Sequence, residues 1–245
     1  MKCLNCNSTQ TVKNGYRKGR QCYKCKQCGR QFLEFYRPWQ YSNDVKQLCM
    51  KMYLNGMGLR GIERVSDIHH TTVMGWIKEA GLRLPDTPES EEEPEITDLD
   101  ELQTAVLLAF KSQEHAAANA FVGNKRHKIW LWTAVNHWQP GIIAWTIGDR
   151  SSLTFQLLWV VVKCWQSFWY VTDGYAVYPK FIDGSQHVVS KTYMTRVQGE
   201  NTRLRHYLAR LHRKTLCYSK SVEMIKCSIR LLLHYLRFKT VSPAA

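Results

Sequence analysis

Phe168-Trp169-Tyr170-Val171-Thr172-Asp173-Gly174-Tyr175 is the stretch that decides how this chain folds. Its apolar run, with Trp165 just upstream, leads into an acid, so Asp173 reads as the end of a buried strand. Downstream, Arg196-Val197-Gln198-Gly199-Glu200-Asn201 opens a basic amphipathic segment with leucines at 204, 208 and 211. A strand-end carboxylate followed by a helix-borne carboxylate or amide is the layout of a metal site.

Working outward, Ile96 to Leu102 is strand-like. Residues 129–135 and 141–147 are two apolar runs separated by His137-Trp138-Gln139-Pro140, the pattern of a hairpin. Leu153 to Gln166 predicts a buried helix and Ser167 to Thr172 a fourth strand. Gln198 to Leu211 and Ser221 to Phe238 have helical periodicity. This order predicts an α/β fold, a mixed sheet covered by helices on both faces.

Two smaller modules precede it. Cys3-x2-Cys6 and Cys25-x2-Cys28, separated by 18 residues, have the spacing of a four-cysteine zinc ribbon. A closed four-thiolate set leaves no open position, so a structural Zn2+ is expected there. Cys22 breaks the spacing and stands outside the set. Lys13, Arg17, Lys18, Arg20, Lys24, Lys26 and Arg30, interleaved with Tyr16, Tyr23 and Phe32, give the ribbon a nucleic-acid-facing surface.

Residues 40–84 then predict three short helices. Asn43 caps the first, which carries Val45, Leu48, Met52 and Tyr53 and stops at Asn55-Gly56; the second runs from Leu59 to Val65. Thr71 or His70 caps the third, with Val73, Trp76 and Ile77 turned inward. This is a helix-turn-helix pattern, and it would present His70, Thr71, Thr72, Gly75 and Lys78 to the major groove. A proline-broken acidic linker, residues 85–95, follows.

The formal charge is +14 over 245 residues. It is uneven. Nine acids and no Lys or Arg fall between Asp86 and Glu101, leaving 34 bases against 11 acids elsewhere. Such a balance points to a polyanionic partner, nucleic acid ahead of an anionic membrane surface. No apolar run approaches the roughly 20 residues of a membrane span. The start, Met1-Lys2-Cys3-Leu4-Asn5-Cys6, does not read as a signal peptide. Nine cysteines, an odd count, fit a reducing compartment better than a disulfide framework.

Six stretches resemble bacterial transposases of the insertion-sequence-one family. They are Asn14-Gly15-Tyr16, Gly29-Arg30-Gln31-Phe32, Tyr53-Leu54-Asn55-Gly56-Met57-Gly58, Asp100-Glu101-Leu102-Gln103, Thr172-Asp173-Gly174-Tyr175 and Leu208-Ala209-Arg210-Leu211-His212-Arg213-Lys214-Thr215, the last followed by Ser219-Lys220-Ser221. The resemblance implies a zinc ribbon (1–36), a helix-turn-helix (40–84), a linker (85–95) and a ribonuclease-H-like catalytic domain (96–240). It also implies two aspartates and one glutamate holding two Mg2+ ions, double-stranded DNA as partner (element ends and target), a homo-oligomer on DNA and a cytoplasmic location. The implied activity is metal-dependent DNA cleavage and strand transfer; the alternative is a non-catalytic DNA-binding protein, a repressor of transposition or a domesticated regulator.

Carried over by position, Asp100 matches the first aspartate and Asp173 the second. Periodicity alone leaves Asp98 open beside Asp100, since both share one face of a strand; the Asp100-Glu101-Leu102 match favours Asp100. The family's glutamate falls at Gln198, an uncharged amide and a poor Mg2+ ligand. Glu200, two residues on, lies about 200° around a helix from it. A second departure is the Ala-rich stretch 105–120, which reads as extra between the first two strands. His187 is a candidate phosphate or metal-water contact, though a packed polar residue is the commoner role. Arg203, Arg205, Arg210, Arg213, Lys214 and Lys220 form a basic band for phosphate contact.

Overall fold

The computed structural model describes residues 1–17, 19–34, 41–86, 93–105, 128–212, 217, 219 and 221–241. The chain divides into two compact units, Met1–Ser42 and Asn43–Ala245.

The first unit is a three-stranded antiparallel sheet of β1 (Thr11–Arg17), β2 (Arg20–Cys25) and β3 (Gln31–Leu33), in the order β1-β2-β3. Its apolar centre is little more than Cys3, Cys25 and Phe32, with Tyr23 stacked on Phe32 at 5.9 Å. So small a core needs a cross-link of some kind.

The second unit begins with α1 (Asn43–Leu54), α2 (Leu59–Ser66) and α3 (His70–Leu82). Details differ from expectation. Cys49, Met50, Tyr53 and Leu54 are the buried residues of α1, while Leu48 is exposed. The cap of α3 is neither Thr71 nor His70 but His69, whose Nδ1 accepts from the Thr71 N–H. Val73 and Ile77 are buried, whereas Trp76 is only half-buried.

These helices do not stand apart from the rest. α3 packs on α6 (Val222–Phe238), the last helix described, and Tyr53 of α1 reaches the same helix. The Tyr53 hydroxyl lies 2.8 Å from Ser228 Oγ, and Lys78 pairs with Glu223 at 3.2 Å. A Cβ on Gly81 would sit 2.5 Å from the Cys227 carbonyl oxygen, so only glycine lets α3 approach this closely. Asp86, at the start of the acidic stretch, pairs with Arg230 of α6.

The main sheet holds β4 (Ile96–Ala105), β5 (Lys128–Asn136), β6 (Ile142–Gly148), β7 (Trp169–Thr172) and β8 (His187–Val189) in the order β6-β5-β4-β7-β8. β5 is antiparallel to β4 and β6, and β7 is parallel to β4 and β8. With six α-helices among the described residues, this is a mixed α/β fold. β5 and β6 form the expected hairpin, and β8 is a strand the sequence did not announce.

Alternation along β4 and β5 sorts the faces. Leu99, Trp132 and Ala134 pack with Phe155, Leu158 and Val162 of α4 (Ser152–Cys164). Asp100 and Thr133 face α5 (Thr195–Tyr207). The expected buried helix is buried on one face only: Leu153, Leu157 and Val160 of α4 are exposed. The helix expected from 198 to 211 instead starts at Thr195, ends at Tyr207, and gives way to a 3-10 turn, Ala209–Leu211.

β4 and β5 pair without a break from Thr97↔Asn136 to Ala105↔Lys128, so the strand carrying Asp100 is not interrupted. The rest of the Ala-rich stretch, 106–120, lies outside the described residues. Among the described residues, no helix is long and apolar enough to cross a membrane.

Candidate metal centre

The parallel pairing of β4 with β7 sets Asp98 beside Val171. Continued by two residues, that register brings Asp100 beside Asp173, just past the end of β7. One carboxylate oxygen each from Asp100, Glu101 and Asp173 lie within 4.8 Å of one another. After Asp173 the chain turns at Gly174 (φ +82°), where a Cβ would meet Val189 Cγ1 at 2.7 Å. The Tyr175 N–H donates to Asp173 Oδ1 at 2.9 Å and closes the turn.

Asp100 faces α5. Asn201 donates from Nδ2 to Asp100 Oδ2 at 2.9 Å, while its Oδ1 accepts from the Thr133 hydroxyl at 3.1 Å. Burial pushes the Asp100 carboxyl up to about 6; the Asn201 bond opposes this, and the charges of Glu101 and Asp173 add to it.

Glu101 leaves the strand on the other face, and its side chain is nearly inaccessible. Arg150 donates to Oε1 from Nε at 2.9 Å and also from Nη2; the Tyr178 hydroxyl donates to Oε2 at 2.7 Å. Arg150 is itself held over the ring of Tyr175, 3.8 Å from its centroid. An acid fixed by three donors gives up those bonds if it turns to a metal, so Asp100 and Asp173 are the freer ligands of the three.

The rival Asp98 is fully buried and receives His137 Nδ1 at 2.9 Å, outside the carboxylate group. Gln198 lies on the same side of α5 as Asn201, one turn earlier, but is exposed where Asn201 is buried. Glu200 is buried and turned to the β5–β6 turn, where it accepts from the Gly141 N–H at 3.0 Å and pairs with Arg203. His187 lies on β8 with Nε2 2.7 Å from the Thr172 hydroxyl, and burial lowers its pKa.

The basic band is divided. Arg203 is partly exposed, and Arg205 is half-buried on α5. Arg210 is not on the surface: it is buried, donates to Ser219 Oγ at 2.7 Å and lies over the Tyr53 ring, which makes it a link between the 3-10 turn and α1. Arg213, Lys214 and Lys220 lie outside the described residues. In α3, Thr71, Gly75 and Lys78 are exposed and Thr72 half-buried; His70 Nδ1 lies 2.7 Å from Glu63 Oε2.

Glu101, Asn201 and Arg150 are the residues of this centre that the sequence did not single out. An acid directly beside Asp100 in the same strand was the available signal for Glu101. Nothing local marks Asn201 or Arg150, whose partners are 101 and 49 residues away.

In the first unit, Cys3 Sγ lies 3.6 Å from Cys28 Sγ, and Cys6 Sγ 3.6 Å from Cys25 Sγ; all four sulfurs fall within 4.8 Å of one another. A tetrahedron with arms of about 2.3 Å has edges of about 3.8 Å, so the set fits one Zn2+. The Asn5 and Cys6 backbone N–H groups pull the Cys3 thiol down to about 6, toward the thiolate that a metal needs. Cys22 is outside the set.

A model of the IS1 transposase family matches residues 111–240, more than half of the chain. The chain belongs to the IS1 transposase family. Insertion element IS1 protein InsB of Shigella flexneri is 34% identical over 119 residues, covering 49% of this chain and 88% of that protein. InsB of Shigella sonnei is similar to the same extent. The IS1 9 InsB of Escherichia coli K12 is 34% identical over 119 residues and is covered to 70%. IS1 membership assigns a transposase role in general, and with it DNA as a partner. The matched range includes Asp173, Gln198 and Asn201 and begins after Asp100.

Proposed function

We propose that this IS1-family chain cleaves and joins DNA at the ends of an insertion element, with Asp100 and Asp173 as the metal-holding carboxylates. The observation that carries this is their approach: one oxygen from each, on neighbouring parallel strands, within 4.8 Å. That spacing suits a shared divalent ion with oxygen ligands. The sheet order supports a ribonuclease-H-like domain, three antiparallel strands followed by two parallel ones. Two Mg2+ ions, when bound, would supply an activated attacking oxygen and charge neutralisation at the phosphate.

The chain's own groups prepare the centre. Asn201 orients Asp100, and Arg150 with Tyr178 keeps Glu101 in place behind it. Gln198 offers only an amide at the family's glutamate position, and Glu200 is engaged elsewhere, so a weakened catalyst is the expected state. Residues 1–36 are proposed as a zinc ribbon with structural Zn2+, 40–84 as a helix-turn-helix, 85–95 as a linker and 96–240 as the catalytic domain. DNA contacts are assigned to His70, Thr71, Thr72, Lys78, Arg203, Arg205, Arg213 and Lys214. A homo-oligomer assembled on element ends in the cytoplasm completes the proposal.

The amide at 198 favours one second reading, a non-catalytic protein that occupies element ends. An assay of cleavage and strand transfer on element-end DNA with Mg2+ or Mn2+ separates the two. Metal-dependent joining that Asp100→Asn and Asp173→Asn each abolish, with DNA binding intact, supports catalysis. Tight end binding with no joining under any metal, even after Gln198→Glu, supports the second reading.

A further inference from the structure

We propose that the turn between α2 and α3 is a further metal site, formed by Glu63, His69 and His70, for a late first-row divalent ion of the Zn2+ class. One ligand atom from each lies within 4.8 Å of the others. His70 Nδ1 is 2.7 Å from Glu63 Oε2, and His69 Nε2 is 3.8 Å from Glu63 Oε1. The two imidazole rings stand 4.3 Å apart, both turned to the same carboxylate.

The donor set chooses the ion. Two imidazoles and one carboxylate suit Zn2+, Ni2+ or Cu2+ and suit Mg2+ poorly, the reverse of the all-carboxylate centre on β4 and β7. Three protein ligands leave a fourth position open. Solvent can reach it, because about a third of the Glu63 and His70 side chains and more of His69 are accessible.

The backbone fixes the three residues before any ion arrives. Glu63 is in the last turn of α2, and its carbonyl accepts from the N–H of Asp67, which holds the left-handed conformation (φ 55°). Ile68 is buried and anchors the turn, and His69 and His70 open α3. The Thr71 hydroxyl lies 2.6 Å from His69 Nδ1. When Nε2 binds a metal, Nδ1 carries the proton and donates it to that hydroxyl, giving up the bond it otherwise accepts from the Thr71 N–H. An ion here joins the end of α2 to the start of α3 and, while bound, takes His70 out of the set of residues assigned above to DNA contact.

The test is metal stoichiometry on the full chain, dialysed against micromolar free Zn2+ with millimolar Mg2+ to occupy the carboxylate centre. Two zinc equivalents per chain are expected, one of them in the four-cysteine set. His69→Ala and His70→Ala should each drop the count to one, while Asp100→Asn keeps two. Unfolding of the second unit should shift upward with Zn2+ in the wild type and not in the two histidine variants. A single equivalent in the wild type overturns the site. So does a second equivalent that survives both histidine substitutions, or one that Asp100→Asn removes.

Discussion

Asn201 donates to Asp100 across 2.9 Å, which ties the second turn of α5 to the strand bearing the first candidate metal-site acid. The same amide accepts from Thr133 on β5, so one side chain spans two strands. Asn201→Ala removes both bonds and leaves a buried carboxylate without its donor. The expected loss is about 1–3 kcal/mol of unfolding free energy, read by denaturant titration. Metal-dependent joining should fall as well, and a variant with wild-type stability and activity would show that this link is idle.

Gln198→Glu should raise strand transfer by a factor of ten or more, on the order of the 1.4 kcal/mol that each tenfold step represents. Glu200→Gln should leave the chemistry nearly unchanged but weaken the hold on Gly141 and Arg203. Gel assays of joined product, with Mg2+ and with Mn2+, report both. If Glu200→Gln abolishes joining and Gln198→Glu does nothing, Glu200 is the third ligand.

Asp100 makes folding depend on pH. Its folded-state pKa, about 6, stands above the ordinary 3.8, so the folded protein takes up a proton between those values. Stability without metal therefore falls as pH rises through that window, and the penalty is complete above about pH 6. Asp100→Asn should stabilise the metal-free protein by about 1–3 kcal/mol at pH 7.5, with the gain shrinking toward pH 4. The asparagine keeps an oxygen for Asn201. Melting curves of both proteins across pH, in chelator, check the sign.

Zinc removal should unfold the first unit and spare the second. Eight of the nine tryptophans lie in 43–245, so tryptophan fluorescence follows that unit while proteolysis of 1–42 follows the other. Cleavage confined to the first unit after chelation, with an unchanged fluorescence melt, is the expected pair of results. Resistance of the first unit to protease in the absence of metal would contradict a structural zinc.

Gly81→Ala should separate α3 from α6. The added methyl meets the Cys227 backbone at 2.5–2.6 Å, and backbone cannot swing aside. A cost of about 1–3 kcal/mol is expected, together with loss of the Lys78–Glu223 pair. A fragment ending near Leu84 would lack α6 altogether, so DNA binding is better measured on this variant than on such a fragment.

Features carried by local pattern were legible in the sequence. The Cys3/Cys6 and Cys25/Cys28 spacing, the apolar runs of β5 and β6, and the apolar lead into Asp173 each depend on a few neighbouring residues. What escaped depends on distant partners. Nothing near Gly81 says that Cys227 will press against it, and Arg210 looks like a surface base until Tyr53 and Ser219 enclose it. β8 is three residues long and exists because β7 offers it a parallel edge. Alternation puts the backbones of Asp100 and Glu101 on opposite faces of β4. It could not show that the longer Glu101 side chain brings its carboxylate back to within 4.8 Å of Asp100 and Asp173.

The unbroken pairing of Ala105 with Lys128 has a practical consequence. Whatever lies between those two residues begins and ends at facing positions of one ladder. A longer or shorter connection there adds closure entropy only slowly, about 0.6 kcal/mol per doubling of length. It leaves the register of Asp100 against Thr133 as it was. A fluorescent label or an affinity peptide spliced between 106 and 127 would therefore ride on the chain as passenger, with the carboxylate strands undisturbed.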